Sequence, residues 1–241
     1  MKFENTRVYN FENALRGMRN PLNSWAKSDS EFGISPNCAL NGDEVILSQD
    51  KYFDICEHIK IGPNDMDLAR RLINGGTEHR KFLRQIFVSV DITAPLYWYK
   101  EFDTYKVATA ANSTSTMHKI ASAPITLDCF EIGDYEPDLV YYTSDNGDNE
   151  VEYTVSDLAD SIIEKLELLR QKYLETKDKR YWKELIRWLP EGWNQTRTWT
   201  ANYEVLRSMY HQREHHKLCE WSDGFCKWVE SLPYAKELII D

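Results

Sequence analysis

IFVSVDITAPLYWYKEF, residues Ile86–Phe102, is the stretch whose reading decides the fold. Ile86, Val88, Val90 and Ile92 alternate with Phe87, Ser89 and Asp91. A period of two in β-branched residues predicts a strand with one strongly apolar face. Pro95 ends it, because proline brings no N–H to a ladder, and Leu96–Phe102 then predicts an aromatic helix.

Upstream, Pro63-Asn64-Asp65 opens a predicted helix with Leu68, Leu72 and Ile73 on one side and Gly75-Gly76 as its stop. Phe11–Arg16 reads as a short helix, and Asn23–Ser48, rich in Ser, Asn, Gly and Pro, reads mostly as loop. Downstream, Thr104–Met117 is nearly all small and hydroxylic, a stretch that lets a backbone approach something else. Hydrophobics on both sides of Asp145-Asn146-Gly147-Asp148 predict a hairpin in an acidic excursion. Ser156 then caps a long amphipathic helix carrying Leu158, Ile162, Leu166, Leu169 and Tyr173. Tyr181–Trp188, Asn202–Lys217 and Phe225–Leu232 complete the helical set. The expectation is an α+β chain, one domain over residues 1–241, with an acidic insertion or hairpin at about 125–155.

The chain has 241 residues, 42% hydrophobic and 13% aromatic, which excludes an intrinsically disordered chain. Its formal charge of −10 argues against a general grip on nucleic-acid polymers. The charge is local, however. Between Lys119 and Lys165 lie 12 acidic residues and no Lys or Arg, so the rest of the chain carries 29 basic against 27 acidic residues. The polar start lacks the apolar run of a signal peptide, and no stretch approaches the ~20 apolar residues of a membrane span. Five scattered cysteines form no CxxC pair, so no disulfide framework or zinc ribbon is expected. A cytoplasmic protein is the expectation.

Three constellations bear on chemistry. His211, His215 and Cys219 stand four apart, with His216 beside them, a spacing that one helical face would turn into metal ligands. Gln212 breaks the HExxH pattern, and the plain reading, a polar helix face with a buried thiol, implies no metal. Ser113, Thr114, Ser115 and Thr116 lie near His118 without a GxSxG elbow, which reads as capping. Lys100, Lys106, Lys119, Arg187, Arg197, Arg207 and Arg213 supply cations, the Ser/Thr run supplies hydroxyls, and Tyr97, Trp98, Tyr99, Trp188, Trp193 and Trp199 supply ring faces. Singly these are core and surface; together they point to a planar, phosphorylated ligand.

The order of these features resembles the flavin-dependent thymidylate synthases: an Arg16 segment, a helix, Gly75-Gly76-Thr77-Glu78-His79, a strand, Ala94-Pro95, an aromatic helix and a small-residue segment. That family then carries a signature RHRxxSxNxxSxR. Later come an Arg near a Leu-Pro step and an Asn opening a helix that ends in a uracil-contacting Arg. Here those are Arg187 with Leu189-Pro190, then Asn202 and Arg213, and the resemblance spans about residues 11–232. Asn112 and Ser115 keep two signature positions, whereas Tyr105, Lys106 and Val107 replace Arg-His-Arg, Ala110 the first Ser and Met117 the last Arg.

The resemblance implies a small, mainly antiparallel sheet packed with several helices, and a homotetramer with sites between subunits. It implies FAD and a deoxyuridylate substrate, and one-carbon transfer from a methylene-folate to C5 of the uracil. His79 would face the flavin, with Asn112 and Asn202 also on the cofactor side. Ser115, Arg187 and Lys106 would hold the nucleotide, and Arg213 would act on the pyrimidine edge. Two alternatives stay open: a nucleotide binder that has lost flavin chemistry, and an interaction protein that works through its acidic excursion.

Overall fold

The computed structural model of the protein describes residues 1–36, 43–50, 55–145 and 150–241. β5 (Phe87–Pro95) realises the alternation: Val88, Val90, Ile92 and Ala94 are at most 1% exposed, whereas Phe87 is 42% exposed. It lies inside a four-stranded sheet of order β1-β5-β9-β6, with β1 Lys2–Tyr9, β9 Asn194–Asn202 and β6 Ala110–Ser113. A strand with neighbours on both sides pairs its backbone polar groups twice over, which lets it carry so apolar a face into the interior. A second sheet has the order β2-β4-β3, formed by Glu31–Pro36, Ile55–Lys60 and Val45–Asp50, antiparallel throughout. The fold class is α+β, as expected.

The chain divides into two compact units. The larger comprises Lys2–Ile92, Tyr105–Asn112 and Arg197–Asp241; the smaller comprises Met1, Thr93–Thr104 and Ser113–Thr196.

In the larger unit, α1 (Phe11–Met18) buries Phe11, Ala14, Leu15 and Met18, the spacing of one helical face. Phe11 meets Tyr203 edge-on at 5.5 Å, and Tyr203 opens α7 (Tyr203–Arg213). Burial pushes the Tyr203 phenol well above its ordinary pKa, and its O–H donates to the Pro233 carbonyl at 2.7 Å. α2 (Pro63–Asn74) starts on its proline as expected, but its buried positions are Asp65, Ala69 and Ile73 rather than a Leu68/Leu72 stripe. Asp65 accounts for that rotation. Its carboxylate accepts from Arg19 Nε at 2.5 Å, Ser28 Oγ at 2.7 Å, Ser30 Oγ at 2.6 Å and the backbone N–H groups of Asp29 and Ser30, both at 3.2 Å. Burial alone would raise its pKa, but these hydrogen bonds and the Arg19 charge outweigh it and hold the carboxyl below its ordinary value. Gly62 admits the arrangement, because a Cβ there would stand 2.2 Å from the Asp29 carbonyl oxygen.

Two readings need correction here. The 23–48 stretch read mostly as loop contains β2 and the first part of β3. β2 carries Gly33 and Pro36 and is mostly exposed, so no apolar period marks it; its identity comes from the ladder with β4. Cys56, fully buried, is disulfide-bonded, against the expectation from scattered cysteines.

In the smaller unit, α3 (Leu96–Phe102) is fastened at its start, where the N–H groups of Leu96 and Tyr97 donate to the carbonyls of Trp193 and Glu191, both at 3.0 Å. Trp98 and Phe102 stack at 4.5 Å. α5 (Val155–Thr176) is capped by Thr154 in a reciprocal box with Asp157, not by Ser156, and packs with α6 (Lys179–Arg187). Their core joins Leu166 and Leu185 to Ile120 and Ile125. Of the expected α5 stripe only Leu166 is fully buried, and Leu158 is 43% exposed. β7 (Val140–Asp145) and β8 (Glu150–Thr154) pair antiparallel, with Tyr141, Tyr142 and Tyr153 on the surface; residues 146–149 at the expected tip lie outside the described residues. Glu167 accepts from Arg170 at 2.6 and 2.7 Å and from the Ile125 N–H at 3.0 Å. Arg170 above all draws its pKa down to about 2.

Two stability measurements follow from these networks. Asp65→Ala strands Arg19 in the interior and is expected to cost about 3–5 kcal/mol in urea unfolding. Glu167 is stabilising while ionised, so its contribution is complete above the ordinary glutamate pKa of 4.5 and disappears as pH falls through about 2. The stability gap between the protein and Glu167→Gln should therefore close across that interval in acid titration of the unfolding midpoint.

Candidate functional site

Arg213 closes α7, where the helix dipole favours a cation. Behind it the chain turns through a π-helical segment, Glu220–Phe225, which buries Trp221 completely. Ahead of it in sequence, α3 ends at Phe102, and the turn that follows delivers Tyr105. These pieces meet in the larger unit. The Arg213 guanidinium lies 4.8 Å from the Trp221 ring centre and 5.4 Å from that of Tyr105, and its Nε donates to the Tyr105 hydroxyl at 2.8 Å. The hydroxyl in turn donates to Gln212 Oε1 at 3.2 Å, which fixes the direction of the phenolic proton. A planar cation stacked on two aromatic rings loses most of its rotational freedom while keeping its charge. The arrangement suits recognition of a flat, carbonyl-bearing edge.

The remaining expected site residues fall in several places. Lys106 sits beside Tyr105 and is exposed; Asn112 is exposed on β6. His79 follows the end of α2 and lines a cleft of about 390 Å³ with Gly17, Leu72, Phe82 and Gln85. Asn202 is 4% exposed, and its Oδ1 accepts the Val205 N–H at 3.0 Å as the N-cap of α7. All four belong to the larger unit with Arg213. Ser115 and Arg187 belong to the smaller one. Ser115 caps α4 (Thr116–Lys119): its Oγ accepts the His118 N–H at 3.2 Å and meets His118 Nδ1 at 2.7 Å. Arg187 ion-pairs with Glu184 on its own helix, whose other oxygen accepts the Trp188 indole N–H at 2.9 Å.

The histidine cluster does not share a helical face, because α7 ends at Arg213. His211 faces Glu214 at 3.7 Å, and His216 Nδ1 accepts the Leu218 N–H at 3.1 Å. Among the described residues no group of three or more His, Cys, Asp or Glu is placed to hold a metal ion. Trp221 was not singled out from the sequence. Its only signal is an aromatic residue shortly after the Arg213 helix, and the π-helical turn that swings it onto the guanidinium leaves no pattern of its own.

No protein-family model matches the chain, and none of the curated proteins matches it. Solved structures do. The flavin-dependent thymidylate synthase ThyX from Helicobacter pylori, complexed with FAD and dUMP, superposes with TM-score 0.62 at 16% identity, over 99% of this chain and 98% of that one. A second structure of the Helicobacter pylori enzyme with FAD and dUMP gives 0.61 at 15%, covering 99% and 97%. The UMP/dUMP methylase PolB from Streptomyces cacaoi, bound with 5-Br UMP, gives 0.51 at 14%, covering 88% and 93%. The resemblance read from residue order therefore stands at the level of fold: the chain has the ThyX fold.

Asn202 tests how far a site assignment reflects a structural duty. Asn202→Ala should lower stability by about 1 kcal/mol, and Asn202→Asp should restore most of it, as measured by chemical denaturation.

Proposed function

We propose that this protein binds a pyrimidine nucleotide, with Arg213 contacting the base edge. The observation that carries this reading is the Arg213 guanidinium held against the edge-to-face pair of Tyr105 and Trp221. The support from comparison is the shared fold of proteins solved with dUMP and with 5-Br UMP. A hydrogen-bond donor held in one plane discriminates a carbonyl-bearing ring from one without it, since the wrong partner leaves a desolvated charge unpaired. Lys106 is the adjacent exposed cation, and the roles of Ser115 and Arg187 toward phosphate rest on the family resemblance alone.

The resemblance also brings FAD, and the residues present fit it poorly. Between Pro95 and Ile120 the cations are Lys100, Lys106 and Lys119 with no arginine, so no planar fork is available for phosphate oxygens. Lys100 is paired with Glu191 at 2.9 Å, and the Asn202 side-chain oxygen is spent on its helix cap. No step is assigned through the flavin. A second reading keeps the reductive one-carbon transfer to C5 of dUMP in a homotetramer, and it has one local observation in its favour: His79 lines a cleft large enough for part of a planar ring.

Thermal unfolding with dUMP and UMP, each with and without FAD, separates these readings. At one hundred times its dissociation constant a nucleotide adds about 2.7 kcal/mol, or roughly 5–10 °C for a chain of this size. That shift is expected without flavin, and a flat response to both nucleotides would overturn the proposal. Arg213→Ala should weaken binding by about 10- to 100-fold. A holoprotein whose flavin, first bleached anaerobically by an added chemical reductant, turns yellow again on addition of methylene-folate and dUMP would establish the second reading instead.

A further inference from the structure

Away from Arg213, the three-stranded sheet of the larger unit brings together a hydroxyl, an imidazole and a carboxylate. Ser35 on β2 and His58 on β4 are diagonal neighbours, since Gly33 faces His58 and Ser35 faces Cys56 in the register. Ser35 Oγ lies 2.8 Å from His58 Nε2, and His58 Nδ1 lies 3.4 Å from Glu44 Oε1, just ahead of β3. A carboxylate beside Nδ1 holds the proton there, which leaves Nε2 as the acceptor of the Ser35 O–H. The imidazole is 7% exposed and lies flat on the backbone of Gly33, where a Cβ would come within 2.4 Å of its Cε1. The ring is thus fixed by packing as well as by hydrogen bonds.

His58 also faces open space. Together with Gly33 and Ile34 it lines a cleft of about 580 Å³ whose other walls include Tyr9, Phe32 and Leu47. The cleft has the size of a small-molecule site, its walls mix apolar residues with Asn10, Glu12, Asn13 and Glu57, and Ser35, half-buried, lies just beyond that lining on the same strand face as Gly33.

We propose that Ser35, His58 and Glu44 form a nucleophile, base and orienting carboxylate for acyl transfer from small carboxylic esters. Ser35 Oγ attacks the carbonyl carbon while its proton passes to His58 Nε2. The bond from carbonyl carbon to alkoxy oxygen breaks, and the leaving alcohol takes that proton from His58. Water, deprotonated by the same nitrogen, then hydrolyses the acyl-serine, releasing the acid and restoring the hydroxyl. The assignment is independent of nucleotide binding, because it uses none of the groups around Arg213.

The test uses the full-length protein with a fluorophosphonate probe and with p-nitrophenyl acetate. Peptide mass spectrometry should find the probe on Ser35. Ser35→Ala should abolish labelling, and His58→Gln should slow both labelling and ester hydrolysis by about 10²–10⁴-fold. Gly33→Ala should slow them as well by displacing the imidazole while leaving all three groups present. Absence of probe on Ser35 in the unaltered protein, or labelling of His58→Gln at the unaltered rate, would overturn the proposal and leave a purely structural cross-strand hydrogen bond.

Discussion

The Asp65 carboxylate organises the larger unit. It is fully buried and gathers donors from the end of α1, from the 28–30 segment and, through its own place in α2, from the helix that follows the second sheet. Those three pieces are far apart in sequence, and the 28–30 segment, Ser28-Asp29-Ser30, has no apolar side chain to hold it to the helices. A buried charge with several satisfied donors is directional where apolar contact is not, so it fixes where the chain turns from α1 into β2. Asp29 repeats the device one step out, accepting the N–H groups of Asn64 and Asp65 at 2.9 and 3.0 Å at the start of α2. Gly62 is the steric condition for both, since any side chain there would meet Asp29.

The same network explains which parts of the fold were readable from the chain. α1, α3 and β5 bury regular apolar faces, so their periods of 3.6 and 2 are visible locally. α2 was readable in extent but not in rotation, because its deepest position is an aspartate whose partners lie 35 to 46 residues away. β2 and β3 were not readable at all. Their stability comes from a ladder on β4 rather than from a buried face, and exposed Phe32 and Ile34 alternate with Gly33 and Ser35 in a pattern that composition alone reads as loop. The α5 stripe was overread for the opposite reason: it has the helical period, yet only part of it meets the Ile120–Leu185 core.

The site divides along the same line. Arg213 was legible because an arginine at a helix end after an asparagine cap has a sequence position that can be compared with a family. Its two aromatic neighbours come from opposite directions along the chain, and Tyr105 stood out only as a departure from the family signature. That departure now has a physical sense. A tyrosine contributes a ring face and a hydroxyl to the guanidinium of Arg213, so the position supplies orientation rather than charge.

Two serine–histidine pairs in the chain show why contact distance is a poor guide to chemistry. Ser115 and His118 approach to 2.7 Å, closer than the 2.8 Å of Ser35 and His58. In the first pair, however, the serine oxygen also accepts the backbone N–H of the same histidine three residues on, at the start of a four-residue helix, and the histidine is exposed. That is a cap. In the second pair the partners belong to different strands, the ring is nearly buried, a carboxylate stands at its other nitrogen and a glycine is required beneath it. A cap satisfies an N–H that any short helix leaves open. The ordered imidazole between Ser35 and Glu44 satisfies nothing the sheet requires, since a strand ladder is complete without side chains.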